Sequence, residues 1–236
     1  MTENTTEKKV AFVNFASKNG WYLQGQERLK KYWESFGNGY DLICFQDEDQ
    51  IGSPKHSDNP YAFKVYAMQA VRDMGYDIVV YMDASMWPVT SVQPLIDWIE
   101  QKGYLMEEAG HWSGTWANDR SLEYFKMSRD EAMKIPMFSA GMLGLDFRSE
   151  LCREFFARWK NACQGGIFRG GWQNRDKSES QDPRCQGHRH DMTCASIIAK
   201  GQLSMEYSPG GHFLSYIGTV YGQPSKTSIF HLQPTA

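Results

Sequence analysis

No stretch of this chain approaches the roughly 18 consecutive apolar residues of a membrane-spanning helix. The polar, charged segment Met1–Lys9 also lacks the apolar core of a secretory signal. Charge of one sign is missing too: a net charge of -3 gives no general pull toward nucleic acid or an anionic membrane. The five cysteines, Cys44, Cys152, Cys163, Cys185 and Cys194, are odd in number and lack the close pairs of a zinc site. Reduced thiols are therefore expected rather than a disulfide framework. No internal repeat or low-complexity tract is visible. These absences leave a soluble, cytoplasmic protein as the expectation. What is present is enough for a sizeable core: 236 residues, 41% apolar and 14% aromatic, read as one α/β domain.

Strand and helix patterns alternate as βαβ units require. Val10–Phe15 and Asp41–Phe45 read as strands, and Gln26–Phe36 has helical periodicity through Leu29, Tyr32, Trp33 and Phe36. A helix over Tyr61–Met74 leads into Ile78–Met82, an apolar run typical of a central strand covered on both faces. Pro94–Gln101 is a helix with proline in its first turn, and Tyr104–Glu108 a short strand. Ser128 and Glu131 form a capping-box pattern. Phe138–Leu145 reads as strand, Arg148–Cys163 as an amphipathic helix and Asp191–Lys200 as a further helix. Residues 1–8 are expected to be a flexible N-terminus. The glycine-rich and then charged stretch 164–189 is too long for a routine connection, so it is either a mobile active-site loop or a disordered insertion.

Three groups of residues have chemistry to offer. Asp83 ends the Ile78–Met82 run, where ligands bind in open α/β sheets, and Ser85 follows two residues on. Such a carboxylate holds a hard divalent cation or simply caps the next turn. His188, Arg189, His190 and Asp191 place two imidazoles, a guanidinium and a carboxylate in succession, with helix capping by Asp191 as the plainer role. Lys64, on the helix before the Asp83 strand, and His231, between Phe230 and Leu232, complete the set. The plainer roles there are a lysine snorkelling to solvent and a structural histidine.

In order and spacing, Tyr81-Met82-Asp83-Ala84-Ser85, Phe138-Ser139-Ala140-Gly141-Met142-Leu143-Gly144 and His188-Arg189-His190-Asp191-Met192-Thr193 resemble nucleotide-sugar glycosyltransferases of the GT-A fold. The resemblance spans about Val10 to His231. It is closest to transferases with an HRHDQS-like signature and an AGxxGF-like strand, and more distant to glycogenin and related galactosyltransferases. It implies a single Rossmann-like domain with a mostly parallel central sheet flanked by helices, using a nucleotide-sugar donor, UDP-sugar favoured, and a saccharide or glycan acceptor. It also implies an Asp-x-Asp motif holding Mn²⁺ or Mg²⁺. Asp83 matches the first aspartate, Ser85 stands in place of the second, and His231 looks like the metal-completing histidine, with His212 as its rival. Lys64 looks like the donor-side cation, and Ser139, Ala140 and Gly141 like the donor-sugar loop. Asp191 matches the signature's aspartate, the catalytic candidate, with His188, Arg189 and His190 as acceptor or phosphate contacts and Met192 in place of glutamine. The base would lie near Phe15 and Ala16, with Asp47 a ribose or base contact. Two alternatives stand beside this: a DNA-base glycosyltransferase, suggested by Arg169, Arg175, Lys177, Arg184 and Arg189, and a catalytically silent nucleotide- or glycan-binding domain, suggested by Ser85. A sugar nucleotidyltransferase would need a GxGxR-type loop where Ala16-Ser17-Lys18-Asn19-Gly20 stands.

Overall fold

A computed structural model describes residues 8–18, 20–216 and 230–232, the side chains of 216 and 230–232 excepted. The expected flexible N-terminus falls almost wholly outside these residues.

The chain opens with β1 (Val10–Phe15), α1 (Trp21–Phe36), β2 (Asp41–Phe45), α2 (Ala62–Asp73) and β3 (Ile78–Asp83). It continues through β4 (Met86–Pro88), α3 (Gln93–Lys102), β5 (Tyr104–Leu105), β6 (Glu108–Trp112), α4 (Asp119–Tyr124), α5 (Arg129–Ala132), β7 (Pro136–Phe138) and β8 (Met142–Asp146). Then come α6 (Glu150–Gln164), α7 (His190–Ser196), β9 (Leu214–Tyr216) and β10 (Phe230–Leu232). The central sheet has the order β2-β1-β3-β8-β5. Strands β2, β1 and β3 are parallel, and β8 runs against both of its neighbours. Four strands therefore share one direction, the mostly parallel sheet expected.

The alternation of β1 and β3 builds two cores. Ala11, Val13, Val79 and Tyr81 face α2 and α6, meeting Val65, Met68, Phe155 and Trp159. Phe12, Val80 and Met82 face α1 and α3, meeting Leu29, Leu95 and Ile99. Each such buried aliphatic side chain contributes on the order of 1.5–3 kcal/mol. Side chains on α1 also fix the carboxyl ends of the parallel strands: Gln26 donates to Asn14 Oδ1 (2.8 Å) and the Phe45 carbonyl (3.1 Å), while Asn14 donates to the Met82 carbonyl (2.7 Å). The edge that carries Asp83 is thereby held by buried polar bonds, which are costly to leave unmade.

Three expected elements differ in extent. Phe138–Leu145 is broken at Ser139–Gly141 into β7 and β8, which belong to different sheets. Tyr104–Glu108 likewise divides, β5 joining the central sheet and β6 pairing with β7. Helix α1 starts at Trp21, five residues before the periodicity becomes visible, because Trp21 and Tyr22 are exposed. The capping box forms as read: Ser128 N–H donates to Glu131 at 2.8 Å and Glu131 N–H to the Ser128 hydroxyl at 3.3 Å. The 164–189 stretch is folded around Asn174, whose amide donates to the Ser180 (2.9 Å) and Cys185 (3.1 Å) carbonyls and accepts from Glu179 N–H (2.9 Å). Among the described residues no helix is long and apolar enough to cross a membrane.

Candidate functional site

Asp83 is the last residue of β3, and the turn after it is shaped by α1. Gly25 makes the approach of α1 feasible: a Cβ there would stand 2.0 Å from the Ala84 carbonyl oxygen. Three residues further along α1, the Arg28 guanidinium donates to the Ser85 carbonyl at 3.0 Å and lies 3.7 Å over the Trp87 ring. On the other side of Asp83, its N–H donates to the Gly141 carbonyl at 2.8 Å, so the Ser139–Gly141 break in the strand serves to hold this turn.

The carboxylate of Asp83 is one-third exposed and accepts from the Tyr81 hydroxyl at 3.1 Å. Lys64 Nζ lies 3.4 Å from Asp83 Oδ1, 3.1 Å from Asp191 Oδ2 and 2.8 Å from the Ala140 carbonyl that it bonds. Its side chain is only 4% exposed, so the snorkelling role is overturned. Burial opposes the ammonium, but Asp191 and Asp83 hold its pKa above the ordinary lysine range. Burial pushes Asp191 up to about 6, against the pull of Lys64 and with a further push from Asp83. Two carboxylates and one buried cation thus share a net negative charge, the arrangement in which one carboxyl is easiest to protonate.

Asp191 lies in the first turn of α7, but the N-cap residue is Arg189, with no side-chain cap bond. The capping role is thereby corrected: the Asp191 side chain faces Lys64. Its carbonyl accepts from the buried Trp159 indole at 3.2 Å, which ties α7 to α6.

The chain bends sharply into both charged helices. Tyr61 precedes α2 with φ of 61°, and His190 begins α7 with φ of 48°, both in the left-handed region. Their rings stand 5.3 Å apart, and Lys64 Nζ lies 5.2 Å from the Tyr61 centroid. Burial pushes the Tyr61 hydroxyl up to about 12.

No family model matches the chain, and no curated protein matches it in sequence. Solved structures do match in shape. WbbM, a bifunctional glycosyltransferase in its apo form, superposes with a TM-score of 0.52 over 91% of this chain at 13% identity. The chain spans 41% of the WbbM chain's length. A glycosyltransferase involved in the glycosylation of the major capsid of PBCV-1 matches with a TM-score of 0.51 at 10% identity, covering 95% of this chain and 93% of that one. The chain has a GT-A-like glycosyltransferase fold.

In this GT-A-like frame the expected site residues fall into two groups. Lys64, Asp83, Ala140, Gly141 and Asp191 converge, and a Cβ on Gly141 would stand 3.1 Å from Asp83 Oδ2. Ser139 is buried beside them, its N–H donating to the Glu107 carbonyl at 2.8 Å. Phe15 is paired in register with Asp83 and stacks on Phe63 at 4.4 Å, and Ala16 N–H donates to the Phe45 carbonyl at 3.0 Å. Asp47 at the end of β2 caps the short helical turn Glu48–Ile51 and pairs with Lys18 at 3.0 Å and Lys55 at 3.3 Å. The Asp49 N–H, then Lys18 and Lys55, hold its carboxyl down at about 2.

Three expectations need correction. His188 is fully buried, its Nε2 bonded to the Ile167 carbonyl (2.9 Å) and its Nδ1 accepting from Asn118 N–H (3.5 Å), so it is a neutral structural residue with no face for acceptor or phosphate. His190 bonds the Phe168 carbonyl through Nδ1 at 2.8 Å and packs its ring among those of Tyr61, Trp172 and His188, so the Nδ1 edge is used within the protein. Lys64 is buried, bonds the Ala140 carbonyl and pairs with Asp83 and Asp191, so it positions the two carboxylates rather than reaching out to a phosphate.

The divalent cation implied by the resemblance meets a poor donor set. Asp83 has Lys64 beside it, Ser85 supplies at most a hydroxyl, and the Ser85 carbonyl is taken by Arg28. Among the described residues no three His, Cys, Asp or Glu side chains cluster as metal ligands. The backbone of His231 pairs with Trp87 in β4, next along the chain from the Asp83 turn, but its side chain lies outside the described residues. The described side chains thus do not fit a tightly held divalent ion. Arg28 and Gly25 were not legible as site residues, because α1 meets the Asp83 turn only in the folded chain, nor was Tyr61, whose ring meets His190 only there.

Proposed function

We propose that this chain is a glycosyltransferase that moves a sugar from a nucleotide-sugar donor, UDP-sugar favoured, to a hydroxyl group of a saccharide or glycan. The observation that carries the reading is the Lys64 ammonium buried between Asp83, at the carboxyl end of β3, and Asp191, at the start of α7. In such sheets ligands lie beyond that strand edge. The donor's anomeric carbon breaks its bond to the diphosphate oxygen, which leaves with the electron pair, and forms a bond to the acceptor oxygen. In an inverting course the acceptor proton passes to Asp191, whose raised pKa suits a general base near neutrality. Lys64 keeps both carboxylates in place, and the Arg28 guanidinium beside Ser85 supplies positive charge at the edge where the leaving diphosphate carries its negative charge.

A saccharide acceptor is preferred to DNA because two of the basic residues of the 164–189 segment, Arg184 and Arg169, are engaged within the protein. Arg184 pairs with Asp182 at 2.7 Å and Asp130 at 2.6 Å, and Arg169 donates to the Asp58 carbonyl at 2.8 Å. A second reading, a nucleotide- or glycan-binding domain without transfer, is favoured by the near-complete enclosure of Asp191, 3% exposed.

Thermal shift with UDP, GDP and their sugars, in EDTA and again with Mn²⁺, tests the donor assignment. Stabilisation by a nucleoside diphosphate in EDTA is expected. No stabilisation by any nucleotide under either condition contradicts it.

A further inference from the structure

Next to the charged cluster, a guanidinium is held between two indole rings. Arg189 Cζ lies 3.9 Å from the ring centroid of Trp116 and 3.9 Å from that of Trp172. The stack is stitched together by backbone bonds from three separate segments. His188 N–H donates to the Gly171 carbonyl at 2.8 Å, Arg189 N–H to the Trp116 carbonyl at 3.2 Å, and Gln186 N–H to the Thr115 carbonyl at 2.9 Å. The Thr193 hydroxyl adds a further bond to the Trp116 carbonyl at 2.6 Å. Gly187 makes the contact feasible: its φ is 153°, and a Cβ would fall 2.2 Å from the Trp172 carbonyl oxygen.

Among the described residues this preformed cation has no counter-charge. Arg189 Nε is buried without a hydrogen-bond partner, and among the described residues no carboxylate pairs with the guanidinium. Burial lowers its pKa, as expected for a cation lacking an anion. A guanidinium fixed flat by rings on its faces offers its edge, the geometry that matches a carboxylate through two parallel hydrogen bonds. Trp172 is 46% exposed. It also stands 5.6 Å from His190 and 6.3 Å from Tyr61, the ring that adjoins Lys64, so the stack borders the cluster of Lys64, Asp83 and Asp191.

Resting on the transferase reading for its role, we propose that the Trp116–Arg189–Trp172 stack is the acceptor subsite and takes an acidic saccharide. The guanidinium edge binds the carboxylate of a uronic acid, and the exposed part of Trp172 packs against the sugar ring that carries it. The neighbouring hydroxyls then face toward Asp191 by way of Tyr61 and His190.

The test is equilibrium binding to the full chain, followed by tryptophan fluorescence, of a disaccharide ending in glucuronic acid and the same disaccharide ending in glucose, with UDP binding measured in parallel. The acidic disaccharide is expected to bind about tenfold more tightly than the neutral one, as for one charge-assisted bidentate contact. Arg189→Gln should abolish that preference and leave UDP affinity unchanged, while Trp172→Ala should weaken both disaccharides. The wild-type comparison needs no variant, so a misfolded substitution does not spoil the test. Equal binding of the two disaccharides, or binding of neither, overturns the proposal. So does a loss of UDP affinity in Arg189→Gln, since the guanidinium would then serve the donor. Acidic preference without binding of UDP, or of GDP in the same assay, would keep the subsite and refute the transferase reading instead.

Discussion

Tyr61 and His190 both have a positive φ at the entrance to a helix, Tyr61 immediately before the helix of Lys64 and His190 as the first residue of the helix of Asp191. With their rings 5.3 Å apart, these two bends bring the charged side chains of α2 and α7 together. Such a conformation costs a non-glycine residue on the order of 1–3 kcal/mol, least for asparagine and most for a β-branched residue. His190→Asn and His190→Val both lose the imidazole, so their difference isolates the backbone. Urea unfolding should find the asparagine variant more stable by about 1–2 kcal/mol; equal stabilities would contradict a strained bend.

Removing the cation should be costly. Lys64→Met leaves Asp191 buried and unpaired, and breaking such a pair from one side typically costs about 3–5 kcal/mol. Guanidinium chloride unfolding at neutral pH should register that loss, and Lys64→Met combined with Asp191→Asn should recover part of it, because the uncompensated charge is gone. A double variant no more stable than Lys64→Met would show that the pair is not coupled.

Asp191 should make stability and activity move in opposite directions with pH. Its folded pKa of about 6 lies above the ordinary 3.8, so between those values the folded chain holds a proton that the unfolded chain has lost. Its contribution to stability is therefore fully present below pH 3.8 and lost as pH rises through about 6. Transfer needs the ionised carboxylate and should instead rise through about pH 6. Glu107, pushed up to about 7 by burial against the pull of the Phe213, Gly211 and Leu214 N–H groups it accepts, adds a slope of the same sign. The difference between wild type and Asp191→Asn isolates the Asp191 part. A wild-type and variant slope that coincide between pH 4 and 6 would contradict the assignment.

Gly25→Ala tests the packing of α1 on the Asp83 turn. The added methyl meets a backbone oxygen at 2.0 Å, so the helix or the turn must shift. Overpacking of this kind costs about 1–3 kcal/mol, and nucleotide affinity should fall with it, as read by thermal shift in the presence of UDP. Unchanged UDP binding would separate the turn from the site.

Much of this architecture is written locally. Ile78–Tyr81 is apolar without interruption because both faces of β3 are covered, and that alone marks where Asp83 stands. The break at Ser139–Gly141 is not visible in an apolar run, since its cause is a bond from Asp83 to the Gly141 carbonyl made only in the fold. Lys64 reads in the sequence as a snorkelling lysine or a donor-side cation and not as the partner of two carboxylates, because Asp83 and Asp191 lie far along the chain. Gly25 and Arg28 carried no signal, since their reason is a turn that α1 meets only in three dimensions. The HRHD run was legible as a polar cluster, but its division of labour was not. Burial makes His188 structural, Arg189 stacks between Trp116 and Trp172, and Asp191 turns toward Lys64.

Transfer from a nucleotide sugar at the cluster of Asp83, Lys64 and Asp191 is read by release of nucleoside diphosphate from a panel of UDP- and GDP-sugars, with water as the acceptor. Wild type should release UDP or GDP from at least one donor at pH 7.5, while Asp83→Ala and Asp191→Asn should lose about a hundredfold or more of that rate. Release by both variants at the wild-type rate, or no release from any donor, would contradict it.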